Sequence, residues 1–346
     1  MDAFAETQWE GPIGRGTGAQ RGSPFSEGAS REWDFRTSPA VFADWIAAAR
    51  RAKTVRMAAT EGAARAAAPP PVPGAIGFRL QAYGARLSLP LLRRRRTRRA
   101  LRYAVVPVNY WRSVEYRLAL EEGRFALGER VLDVGSPKLL SLWIADRIGA
   151  QVVATDIESY FLEEYELLRR ARRVPAERLR LAVEDGRRLS FGDASFDKVY
   201  SLSVLEHIPD AGDTECVREL ARVLAPGGRC VLTVPFWPES RVDWRAPDFY
   251  WSGASVDDAS GRVFYQRRYS EADLRERLVG PSGLRLAGLQ FVGDRWRRRG
   301  DRELCELLPP WTGPLQPALA GLLTTAPAAD WRLLRKPLCA LLVLEK

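Results

Sequence analysis

From Arg130 onward, short apolar runs alternate with stretches of helical composition, and this alternation restricts the fold more than any other feature of the chain. Arg130–Val134 (RVLDV), Gln151–Thr155 (QVVAT), Leu179–Val183, Phe196–Ser201 (FDKVYS) and Arg229–Val234 (RCVLTV) read as buried strands. Between them lie helical stretches over Lys138–Ile148, ended by Gly149; over Glu158–Arg173, which stops before Pro175; and over Thr214–Leu224, followed by the Pro226-Gly227-Gly228 turn. Strands joined through helices form right-handed crossovers, so the pattern predicts a parallel sheet covered on both faces. In such sheets ligands bind beyond the carboxyl ends of the strands, which is where chemistry is to be sought. Leu284–Val292 and Leu338–Glu345 are also strand-like and extend the sheet.

The flanking regions differ in composition. Residues 1–75 are rich in Gly, Ala, Pro and Arg and poor in large apolar side chains, so they are expected to be disordered apart from a short amphipathic helix at Ala40–Arg50. Residues 76–128 read as a basic helical segment, and 129–346 as the α/β domain, with a lid or substrate wall inserted at about 236–269. The lid holds Trp237, Trp244, Tyr250, Trp251, Tyr265 and Tyr269, whose rings either grip a planar ligand or simply pack the insertion. Tyr110, Trp111 and Tyr116 lie just ahead of the first strand.

Of the net charge of +10, most arises between Arg86 and Arg124, where eleven Arg face three Glu. The Arg93–Arg96, Arg98, Arg99 block is either a solvated helix face or a contact for nucleic acid or an anionic membrane surface. Cys216, Cys230, Cys305 and Cys339 lie too far apart for a CxxC pair, so neither zinc nor a disulfide framework is expected. No secretory leader and no run near 18 apolar residues stands out, and the expectation is a cytoplasmic protein.

The strand ends carry the chemistry. Asp133-Val134-Gly135-Ser136-Pro137-Lys138 closes the first strand. Gly135 lets a ligand approach the backbone, and Ser136-Pro137 makes a helix start whose free N–H groups suit an anion. Asp156 ends the second strand 21 residues beyond Gly135, the position from which a carboxylate accepts two bonds from a ribose diol; alternatively it caps the following helix. Glu184-Asp185-Gly186 follows the third strand. Asp193-Ala194-Ser195-Phe196-Asp197 leads through the fourth into Val204-Leu205-Glu206-His207-Ile208-Pro209-Asp210, and Glu219-Leu220 precedes Leu224-Ala225-Pro226-Gly227-Gly228.

In order and spacing, these pieces over Arg130–Val234 resemble the class I S-adenosylmethionine-dependent methyltransferases of the type 11-like group. The resemblance implies a Rossmann-like three-layer sandwich, with a mostly parallel seven-stranded sheet and an antiparallel last strand. It further implies S-adenosylmethionine as cofactor, held by Asp133, Gly135, Ser136, Asp156, Ile157, Asp185, Gly186 and Ser201, with residues 76–128 covering it and Tyr110, Trp111 and Tyr116 among them facing the acceptor. Pro137 and Leu139 depart from the family's Asp-x-Gly-x-Gly-x-Gly pattern, standing where its second and third glycines fall. His207, the only histidine of the chain, sits near the family's transferable methyl; it serves as base for a hydroxyl acceptor, or the Leu-Glu-His-Ile-Pro run only orders the loop. Ser201-Leu202-Ser203-Val204 stands where base-methylating enzymes carry an Asn-Pro-Pro-Tyr-like tetrapeptide. The acceptor is therefore expected to be a small molecule or a glycan or lipid intermediate rather than nucleic acid. A catalytically silent binding protein is the competing reading.

Overall fold

The computed structural model describes residues 73–136, 138–246, 256–257, 260–295 and 310–346. The Ala40–Arg50 helix, Pro137, Tyr250, Trp251 and Cys305 lie outside the described residues. Four helices come first: α1 (Pro73–Ala85), α2 (Ser88–Arg93), α3 (Thr97–Val105) and α4 (Tyr110–Gly123). Asn109 caps α4 by accepting a bond from the Arg112 N–H at 2.8 Å. The strands and helices of the core follow as β1 (Arg130–Val134), α5 (Lys138–Trp143, widening into a π turn at Ile144–Ile148), β2 (Gln151–Asp156), α6 (Ser159–Arg172), β3 (Leu179–Val183), β4 (Phe196–Leu202), α7 (Gly212–Val223) and β5 (Leu224–Pro235).

β9 (Arg285–Gly293) and β10 (Pro337–Glu345) complete a seven-stranded sheet in the order β3-β2-β1-β4-β5-β10-β9. β10 runs antiparallel to both its neighbours, while the pairs from β3 to β5 are parallel. Chain order reverses beside β1, which therefore borders the crevice in which an open sheet of this kind holds a ligand. Alternate side chains along each strand enter two cores. Val131, Val152, Tyr200 and Leu341 face α1–α6, and Leu132, Val153, Val199 and Leu342 face α7 and the segment ahead of β9. This is the expected three-layer sandwich. One boundary differs: β5 pairs from Leu224 onward, so Pro226-Gly227-Gly228 is a kink within the strand run, with Gly227 at φ +73°, rather than a turn ahead of it.

The insertion after β5 is itself a sheet, which composition did not predict. β6 (Arg241–Arg245), β7 (Val256–Asp257) and β8 (Arg262–Arg268) pair antiparallel in the order β6-β8-β7. A short helix, α8 (Glu271–Asp273), continues as a wide turn to Val279. Later, α9 (Gln316–Leu323) returns to the N-terminal helices: Gln316 accepts from the Tyr110 N–H at 2.8 Å, and Gln81 donates to the Gly313 carbonyl at 3.1 Å.

One buried carboxylate joins the insertion to the core. Asp213, at the start of α7 and fully buried, accepts from Arg267 (2.9 Å) and Tyr269 (2.8 Å) of the insertion and from both Arg277 nitrogens (2.9 and 2.7 Å). The two arginines also donate to the Asp210 carbonyl. Removing the anion leaves the buried Arg267 guanidinium, and the partly exposed Arg277, without their counter-charge. Asp213→Ala is expected to lower unfolding free energy by about 3–5 kcal/mol in urea titration, the range for breaking a buried ion pair from one side; a loss below about 1 kcal/mol would show that β8 is held by other contacts.

Candidate functional site

The carboxyl ends of β1, β2, β3 and β4 lie side by side, with Val134 opposite Thr155, Asp156 opposite Val183 and Asp133 opposite Tyr200. Beneath the β1 loop sits Asp133, fully buried. It accepts bonds from the Ser136 N–H (3.1 Å), from Tyr165 of α6 (2.9 Å) and from the Ser141 hydroxyl of α5. Desolvation pushes its pKa up, against the pull of these three donors. The single Tyr165 proton is shared between Asp133 and the Ser136 carbonyl (2.6 Å), and the Ser136 hydroxyl accepts from the Leu202 N–H at 2.8 Å, which ties the loop to β4. Ser201, fully buried, donates to the Val134 carbonyl at 2.9 Å. Asp133, Ser136 and Ser201 thus act on the loop from below. Gly135 takes the left-handed conformation, φ +67°, and a Cβ there would stand 2.8 Å from Val204.

Around the crevice rim the side chains are more open. Asp156, partly buried at the end of β2, accepts from the Glu158 N–H at 3.1 Å, and Ile157 beside it is 45% exposed, unusual for so large an apolar side chain. After β3, Arg187 forks onto Asp185 with bonds of 3.0 and 2.7 Å, and these bonds hold the carboxyl below its usual range. Gly186 packs against β1, where a Cβ would lie 3.2 Å from Val134.

The turn after β4 holds the catalytic candidate. His207 ends a one-turn helix, Leu205–His207, and its Nδ1 lies 2.7 Å from the Tyr265 carbonyl of β8. A carbonyl only accepts, so neutral His207 carries its proton on Nδ1 and leaves the Nε2 lone pair available. Desolvation pulls its pKa down to about 4, although the ring stays 31% exposed. Nε2 is 3.7 Å from Glu206, a buried residue whose carboxyl is driven well above the usual range by burial and whose Oε2 has no hydrogen-bond partner among the described residues.

Sequence reasoning missed the group next to this turn. Glu115, fully buried on α4, receives Arg112 (2.5 Å), Thr233 of β5 (2.8 Å) and the Ser203 hydroxyl. Arg112 reaches the Leu202 carbonyl at 3.5 Å, so α4 is fastened to the ends of β4 and β5. The only sequence signal is the i,i+3 spacing of Arg112 and Glu115, which an exposed helix would share.

The aromatic side chains divide. Tyr265 is buried, with Arg245 stacked 3.5 Å from its ring centroid on one side and His207 edge-on at 5.1 Å. Tyr269 is spent on Asp213, Trp244 is partly exposed, and Tyr110, Trp111 and Tyr116 are all buried in the helical layer. Among the described residues no three His, Cys, Asp or Glu side chains converge as a metal site would require.

The strand order and the antiparallel last strand, together with Gly135 and the acidic side chains closing β1 and β2, match the arrangement implied by the resemblance to class I S-adenosylmethionine-dependent methyltransferases. Residues 132–232 match the family described as a methyltransferase domain. Over 107 residues the chain is 39% identical to a ubiquinone biosynthesis O-methyltransferase of Xanthomonas oryzae pv. oryzae, which covers 31% of this chain and 43% of that protein. It is 32% identical over 106 residues to methyltransferase GfsG of Streptomyces halstedii, covering 30% and 37%. It is also 32% identical over 125 residues to a 2-methyl-6-phytyl-1,4-hydroquinone methyltransferase of Synechocystis, covering 36% of each. The chain thus spans less than half the length of these relatives. Among solved structures, the [4+2]-cyclase SpnF aligns over 68% of this chain and 80% of its own, with TM-score 0.46 and 20% identity.

Two measurements follow from this geometry. Gly135→Ala is expected to cost about 1–3 kcal/mol of stability, from left-handed backbone and the Val204 contact, and adding Val204→Ala should recover part of it; strict additivity in the double-mutant cycle would separate the two residues. The single imidazole of the native chain should titrate near pH 4 by NMR. Because that value lies below the unfolded one, His207 contributes stability that is full above about pH 6.5 and is lost as pH falls toward 4. A titration midpoint near 6.5 would contradict the burial argument.

Proposed function

We propose that the chain is an S-adenosylmethionine-dependent methyltransferase acting on a hydroxyl of a small molecule, of phenolic or quinol type. What supports the reading is that the adjacent ends of β1, β2 and β3 carry Gly135, Asp156 with Ile157, and Asp185 with Gly186, beside a loop pinned by Asp133, Ser136 and Ser201. These residues suit the cofactor's chemistry. The Asp156 carboxylate accepts from a ribose diol, the exposed Ile157 offers an apolar face to a purine, and Asp185 beside Gly186 can accept from an exocyclic amine. The printed names of two relatives, which concern ubiquinone biosynthesis and a hydroquinone, support the phenolic acceptor class.

The cofactor supplies a methyl group on a positively charged sulfur, and the remaining work falls to the chain. His207 accepts a hydrogen bond from the acceptor's hydroxyl at Nε2 and takes its proton as the new C–O bond forms. A resting pKa near 4 keeps the imidazole uncharged beside the cationic cofactor it would face, so His207 would become charged only by taking the acceptor's proton as the methyl's bond to sulfur breaks and its bond to oxygen forms. The Tyr265 carbonyl fixes the tautomer and accepts from Nδ1–H throughout. Glu206 lies 3.7 Å from Nε2, and burial pushes its carboxyl well above the usual range, favouring the uncharged form beside an incoming oxygen.

Calorimetry with S-adenosylmethionine is the first test: heat of binding is expected, and its absence would favour a catalytically silent binding protein. Asp156→Ala should weaken that binding by about 1–3 kcal/mol, the scale for lost hydrogen bonds to a charged group. With a quinol acceptor, mass spectrometry should record a product gaining one methyl. His207→Gln should lower kcat on the order of 100-fold or more with little change in cofactor affinity. Retention of full kcat would leave His207 a purely structural part of the turn.

A further inference from the structure

The N-terminal helices carry a feature that the crevice does not use. No Asp or Glu occurs between residues 73 and 114, while Arg79, Arg86, Arg93–Arg96, Arg98, Arg99 and Arg102 do. In the structure α2 and α3 pack together as a hairpin whose connecting turn is made of arginines, with Arg95 at φ +57° and Arg93–Arg96 and Arg98 exposed. The hairpin also exposes large apolar side chains: Leu89 and Leu92, three residues apart on one face of α2, at 53% and 52%, and Leu101 on α3 at 65%. Its other side is buried through Leu87, Leu91, Ala100 and Tyr103, so the hairpin is firmly seated and the exposed leucines are not a fraying end. Tyr103 bonds to Glu164 of α6 at 3.0 Å, and α1 lies against Leu139 at the start of α5, which sets the hairpin beside the β1–β2 end of the crevice.

We propose that this hairpin is a docking surface for an anionic phospholipid bilayer. Cations spread along a helix explain attraction to any polyanion, but leucines exposed among them gain free energy only where they can leave water, as in the acyl region beneath lipid headgroups. Proteins that hold single strands without sequence preference do so through aromatic rather than aliphatic side chains, and leucines that enter duplex DNA act as wedges in the minor groove rather than as a dispersed face. The chain's own first 72 residues do not match the surface either: they hold nine basic and eight acidic residues, with no acidic block. No helix among the described residues is long and apolar enough to cross a membrane, so the contact is peripheral.

The test is co-sedimentation of the full chain with vesicles, without methyl donor or acceptor, so that it reads independently of the proposed activity. Vesicles of phosphatidylcholine containing about one-third phosphatidylglycerol should bind the chain, pure phosphatidylcholine should not, and binding should weaken at about 0.5 M salt. The triple variant Leu89→Ser, Leu92→Ser, Leu101→Ser should bind at least about tenfold more weakly. Replacing Arg93, Arg94, Arg95 and Arg96 by Gln should cost on the order of 100-fold or more. Hydrogen exchange of the unaltered chain should show vesicle-dependent protection of residues 86–102, a readout that needs no variant to fold. Equal binding to neutral vesicles, no binding, protection elsewhere only, or a leucine variant that binds as well as the parent would each overturn the proposal. Tighter capture of duplex DNA or RNA than of vesicles, lost with the arginines but not with the leucines, would assign the surface to nucleic acid instead.

Discussion

The site depends on a carboxylate that never reaches its surface. Asp133 is taken wholly out of water, which is costly for an anion, and the cost is offset because the Ser136 N–H, Ser141 and Tyr165 converge on it. Each donor belongs to an element that must be correctly placed: the loop, α5 and α6. The carboxylate therefore registers the two helices against β1, and the Ser136 hydroxyl passes that register to β4 through Leu202. A loop short of glycines is held by side-chain bonds, where a more glycine-rich loop relies on conformational freedom at several positions.

The missing third glycine has a structural counterpart. Leu139 stands in its place and is buried, which requires that whatever covers the loop give way. What covers it is α1, at Gly84, where a Cβ would come within 3.2 Å of Leu139 and 2.3 Å of Pro107. Gly84 lets α1 lie close over both Pro107 and Leu139. The N-terminal helices are thereby made part of the site's construction, through Gly84 at α5, Tyr103 at α6 and Glu115 at β5.

The strands were legible in the sequence because burial on both faces makes each a short, mostly apolar run rich in Val and Leu between helical stretches, with polar residues mainly at the ends. The acidic and glycine positions at their ends were legible because the topology fixes where a chain must turn. Glu115 and Asp213 were not legible. Each sits in a helical stretch that reads as amphipathic, and only the tertiary arrangement, which aims Arg112 at the one and Arg267 and Arg277 at the other, turns a seemingly solvated carboxylate into a buried anchor. The β6–β8 sheet was hidden for the same reason. Arg-Val-Phe-Tyr-Gln-Arg-Arg reads as polar until Asp243 and Asp213 take up Arg268 and Arg267.

Those arginines also connect the insertion to the chemistry. The strand that supplies Arg267 to Asp213 supplies the Tyr265 carbonyl to His207 two residues earlier, at the point where the β6–β8 register shifts. Fixing Arg267 on a buried anion at the start of α7 therefore fixes the height of Tyr265 above the β4 turn, and with it the tautomer of the imidazole. A stability element and a proton-holding element are one strand. The insertion is then more than a cover: detaching β8 from Asp213 would release the carbonyl that holds the proton of His207 on Nδ1.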